Sequence, residues 1–110
     1  METQKSNLES QNRNKKVETD LKKRCYSFSL QIIQLIETLN VKRVYISITD
    51  QLLRSATSIG ANIFEGKSAS SKRDFINFYQ IALKSANETK YWLCLVSDGL
   101  RVNSEGIKLH

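Results

Sequence analysis

All-α is the fold class this sequence predicts, and two observations carry it. Apolar side chains recur at helical spacing through three long segments. The one stretch with strand-like composition, Val44-Tyr45-Ile46-Ser47-Ile48-Thr49, has no second stretch to pair with, so it reads as the entry to a helix. At 110 residues, with 40% hydrophobic and 25% charged side chains, the chain is one domain of ordinary globular composition. That excludes a two-domain enzyme, a collagen-like chain, a wholly disordered one and a disulfide-rich scaffold.

Residues 1–16 carry one large apolar side chain, Leu8, among polar ones, and are expected to form a disordered basic and polar tail. The helical domain is expected over residues 17–110. Leu21, Cys25, Phe28, Ile32, Leu35 and Leu39 are spaced four and three apart in alternation, the a/d seam of a first helix over roughly residues 18–39. Ile48, Leu52, Ala56, Ile59 and Ile63 make the stripe of a second over roughly 45–65, with Gly66 as its stop. Its small residues Ser55, Ala56, Ser58, Gly60 and Ala61 predict close approach of another helix. Ser71-Lys72-Arg73-Asp74 has the form of a capping box with Asp for Glu and opens a third helix that runs to about Asp98.

The apolar positions of helix three, from Phe75 through Leu83 and Trp92 to Val96, cover well over half its circumference, more than one neighbour can bury. Leu83 and Trp92 are therefore expected in the core, and self-association is expected to cover what remains. Arg73, Asn77, Gln80, Lys84, Asn87, Glu88 and Tyr91 share a narrow polar face left for solvent or a ligand. Ser104 to His110 resembles the first turn of a fourth helix.

Enzymatic chemistry finds little support. The only histidine is His110, which removes Ser/His/Asp and Cys/His arrangements, His-rich zinc sites and Glu-x-x-His di-iron pairs. Cys25 and Cys94 form no CxxC pair and read as two reduced, core-filling thiols. No phosphate-cradling glycine motif is present, and Asp50, Glu65, Asp74 and Glu88 are accounted for by caps and solvated faces. Neither a cofactor nor a metal is called for. No apolar run approaches the roughly 18 residues of a membrane span, so a soluble cytoplasmic protein is expected.

The basic balance is more informative. Seventeen Lys and Arg against eleven Asp and Glu give +6, half of it arising in the first 24 residues, which favours polyanionic partners. Arg54 lies opposite Leu52 on helix two, Lys67, Lys72 and Arg73 crowd the loop into helix three, and Lys84 lies on the polar face. These five are the candidate nucleic-acid-binding residues, against the plainer reading of a solvated rim.

The run from Asp50 through Leu53-Arg54-Ser55-Ala56 and Ile59-Gly60-Ala61-Asn62-Ile63-Phe64-Glu65-Gly66, continued by Lys72-Arg73-Asp74-Phe75 and Ala86-Asn87-Glu88-Thr89-Lys90-Tyr91-Trp92-Leu93, resembles the four helix bundle proteins encoded in 23S rRNA intervening sequences. The likeness covers roughly residues 18–100. It implies an antiparallel up-down four-helix bundle, with the fourth helix short or truncated in this sequence. It further implies a ring-like homopentamer and a relationship to the accessory variability determinant of diversity-generating retroelements, which works with a reverse transcriptase and binds nucleic acid. Arg54, Asn62, Glu65 and Gly66 match the family signature of helix two, and Asn87 and Glu88 that of helix three, all as structural positions. The function expected is that of a non-enzymatic homo-oligomer binding structured RNA or an RNA–DNA hybrid through basic surfaces. The alternative is a protein-interaction scaffold that binds no nucleic acid.

Overall fold

A computed structural model describes the backbone of residues 2–100 and the side chains of residues 16–100 other than that of Glu18. Three helices follow one another, α1 (Glu2–Thr38), α2 (Ile46–Lys67) and α3 (Lys72–Gly99), with a 3-10 turn at Arg43–Tyr45 leading into α2. No strand occurs among the described residues, and the β-branched stretch at 44–49 is spent on the 3-10 turn and the first turn of α2. The nascent fourth helix read at Ser104 to His110 lies outside the described residues.

Apolar periodicity sets the start of the first helix near residue 18; helical backbone begins instead at Glu2. Residues 2–17 contain neither glycine nor proline and are rich in Glu, Gln, Lys and Arg, so local propensity carries the helix past the point where its apolar seam ends. At 1.5 Å per residue such a helix is about 55 Å long, and it dominates the 63 Å long axis of the molecule. None of the described helices is long and apolar enough to cross a membrane.

Helix α2 is the centre of the packing. Cys25 of α1 lies against Gly60, and Ile32 joins Leu52 and Ala56, so α1 and α2 run antiparallel. Thr89 bonds Ser55, Ser58 meets Ser85, and Gly66 lies against Phe78, so α2 and α3 are antiparallel too. The Cα atoms of α1 and α3 nowhere come within 8 Å of each other among the described residues. The three helices thus occupy three corners of an up-down bundle, with α2 between the diagonal pair. Leu52 and Ala56, both fully buried, form the floor on which Ile32 and Val96 meet. A second cluster, Cys25, Ile63 and Ala82, closes the end nearer the α2–α3 turn.

Cys94, read as a core-filling thiol, is exposed, and of the two cysteines Cys25 alone is buried. Further expectations need correcting. Gly66 is not the stop of α2: the helix continues to Lys67, and Gly66 is a buried contact whose added Cβ would meet the Phe78 Cβ at 3.2 Å. Leu83 is not core: it is 64% exposed, while Trp92 is only partly buried. The apolar arc of α3 holds two adjacent seams, and α2 covers one of them. Leu35 of the first-helix seam is likewise exposed, and Ile36 packs in its stead.

Candidate nucleic-acid interface

The α2–α3 turn is built by local hydrogen bonds. The N–H of Ser68 donates to the Glu65 carbonyl and that of Ala69 to the Gly66 carbonyl, which closes the last turn of α2. Ser71, in extended backbone, caps α3 by accepting from the Asp74 N–H at 3.1 Å, the first half of the expected capping box. The second half is redirected: the Asp74 carboxylate accepts from the Ser70 hydroxyl at 3.1 Å. Rigid capping holds Lys67 at the end of α2 and Lys72 and Arg73 at the start of α3, all three exposed around a connection of four residues.

Of the five candidate residues, the structure brings these three together. Lys84 is exposed eleven residues beyond Arg73, about 16 Å along the axis of α3, on the same polar face. Arg54 is exposed thirteen residues before Lys67, about 20 Å back along α2. At physiological ionic strength, where fields decay over about 8 Å, Arg54 acts separately from the turn cluster. None of the described Lys or Arg side chains is ion-paired with a described carboxylate, so these cations keep their charge for an external anion.

The polar face of α3 is solvent-facing as expected, with Arg73, Asn77, Gln80, Lys84, Asn87, Glu88 and Tyr91 all exposed. Glu88 accepts the Trp92 indole N–H at 2.9 Å, and Tyr91 meets Trp92 edge-on at 5.0 Å. Glu88 is thereby engaged in holding the indole. Asn62 is satisfied within α2, its amide donating to the Ser58 carbonyl at 2.8 Å and to the Ser58 hydroxyl at 3.0 Å, and not by a residue of a neighbouring helix. Ser58 in turn shares a hydrogen bond with Ser85, and Thr89 donates to Ser55 at 3.0 Å. No buried side-chain polar atom is left unpartnered among the described residues, so this ladder of hydroxyls is structural.

One contact escapes sequence reasoning. The Lys22 ammonium of α1 sits 4.3 Å from the centroid of the Phe64 ring of α2. Only the antiparallel pairing of the two helices shows that the basic stretch of α1 lies beside the α2–α3 turn. Burial pushes the Cys25 thiol pKa up, opposed by the nearby Arg24 charge, so Cys25 is a packed thiol and not a nucleophile. No group of three or more His, Cys, Asp or Glu among the described residues is placed to hold a metal ion.

Residues 17–108 match the family model described as 23S rRNA-intervening sequence protein. Among solved structures, a protein of unknown function from the S23 ribosomal protein family of Bacteroides thetaiotaomicron VPI-5482 is 40% identical, with a TM-score of 0.71 over 83% of this chain and 81% of that one. No curated protein matches this chain.

Proposed function

We propose, for a chain that belongs to the 23S rRNA-intervening sequence protein family, a non-enzymatic role in the cytoplasm: a helical bundle that self-associates, as a homopentamer in the family's pattern, and binds structured RNA or an RNA–DNA hybrid through basic surfaces. The observation that carries the nucleic-acid part is the cluster of Lys67, Lys72 and Arg73, exposed on a rigidly capped turn without ion-pair partners among the described residues. Repetition around an assembly multiplies such a cluster, and neutralising many phosphates at once gives an affinity that falls steeply with salt. Self-association is supported by Ile76 and Leu83, 45% and 64% exposed, on a helix whose other apolar side is already packed.

Filter binding of wild type and the Arg73→Glu/Lys84→Glu variant to structured RNA, at low and physiological salt, tests this reading once light scattering has shown that both assemble alike. Wild type should bind with steep salt dependence and the variant markedly more weakly. Equal affinity, or no binding by either at low salt, favours the scaffold.

A further inference from the structure

We propose that the polyanion site is one end of the bundle, assembled from two basic segments distant in sequence. Residues 16–24 of α1 carry four basic side chains and two acidic ones, and residues 67–73 carry three basic and none acidic. Residues 25–66 hold three of each sign, and residues 74–100 two basic against three acidic. The positive excess of residues 16–100 therefore resides in these two short segments.

The fold puts them at the same end. Leu21 and Tyr79 both pack against the cluster of Cys25, Ile63 and Ala82, and Lys22 lies over Phe64. Lys67 is three residues past Phe64, a rise of about 4.5 Å, and Lys16 is six residues before Lys22, about 9 Å. Lys16, Lys23 and Arg24 are exposed, as are Lys67, Lys72 and Arg73. These rises along the helix axes keep Lys16, Lys22 and Lys67 within about two helical turns of the same end of the bundle, so a polyanion laid across that end meets the summed charge of both segments. Arg54, about 20 Å along α2 from Lys67, falls outside that sum. The body of the bundle is neutral to slightly acidic and contributes no competing attraction for phosphates. The ligand class is the phosphate backbone of a nucleic-acid duplex, met end-on and without base reading.

This inference rests on the nucleic-acid reading above, and the experiment separates the two. Two variants of equal net charge are compared on a short RNA hairpin across a salt series: Lys23→Glu/Lys72→Glu, one change in each basic segment, and Lys42→Glu/Arg54→Glu on the flanks. Circular dichroism and light scattering first establish that both fold and assemble as wild type. The end variant should lose about tenfold or more in affinity relative to the flank variant, with a salt slope shallower by about 2. The neutral pair Lys23→Gln/Lys72→Gln should show the same slope change with a smaller loss. Equal losses in the end and flank variants, or a larger loss in the flank variant, overturn the end site while leaving RNA binding standing. Wild-type binding that is absent or insensitive to salt overturns both.

Discussion

Two seams run side by side along α3, one residue apart in register. The first, Phe78, Ala82, Ser85, Thr89, Trp92 and Val96, packs on α2, and Ala82, Ser85, Thr89 and Val96 are buried. The second, Ile76, Tyr79, Leu83, Ala86, Lys90 and Leu93, follows the same alternation of three and four residues; Tyr79 and Leu93 pack at the edges of the core clusters, but Ile76 and Leu83 are 45% and 64% exposed. The covered seam is the less apolar of the two at its centre. Its Ser85 and Thr89 bond to Ser58 and Ser55, and their small size lets the backbones approach. The open seam keeps larger aliphatic side chains that hydroxyl pairing would not serve. The contrast teaches that α2 covers one of the two seams that α3 presents and leaves Ile76 and Leu83 of the other in solvent.

Substitutions at the covered side should cost the most. Leu52→Ala removes the fully buried side chain around which Ile32 and Val96 meet, and chemical denaturation should register a loss of about 2–5 kcal/mol. Gly66→Ala forces a Cβ to within 3.2 Å of the Phe78 Cβ, which is fixed to the backbone of α3. The strain should exceed the gain in helix propensity and destabilise by about 1–3 kcal/mol in the same assay. Thr89→Val deprives Ser55 of its interhelical partner and should cost about 1 kcal/mol, because Ser55 keeps its bond to the Leu52 carbonyl. A loss as large as that of Leu52→Ala would mean that the hydroxyl ladder, and not apolar burial, holds α3 in place.

The smallest effect concerns the two thiols. Cys94 is exposed and should be alkylated by iodoacetamide well before Cys25, which is buried against Gly60. Burial raises the Cys25 pKa in the folded state. Its contribution to stability is thus complete below the unfolded thiol's pKa and is lost as the pH rises through the folded one. Denaturation midpoints should be flat through neutrality and fall in the alkaline range, and Cys25→Ala should flatten that decline.

Much of this was legible in the residues. The a/d spacing of α1, the stripe of α2 and the Ser71 cap each follow from local rules, and each is found where those rules put it, give or take two or three residues at most helix ends. The structural part of Asn62 came from the family likeness alone, since its partner Ser58 lies on its own helix and no apolar spacing marks it. Leu83 was not, because periodicity marks a side chain as apolar without saying which neighbour covers it. Gly66 misled because a glycine near a helix end serves equally as a stop or as a close approach, and only the Phe78 contact distinguishes them. The convergence of residues 16–24 with residues 67–73 depends on antiparallel pairing, which no local pattern encodes.

The sharpest test of the two-seam account is the mass of the folded chain in solution with Leu83 intact and with Leu83→Asp, measured by light scattering at micromolar concentration. The account predicts a wild-type species well above the 12.6 kDa of one chain and a Leu83→Asp variant shifted toward the monomer with an unchanged circular dichroism spectrum. A well-folded wild type of 12.6 kDa, or a Leu83→Asp variant that keeps the wild-type mass, would contradict it.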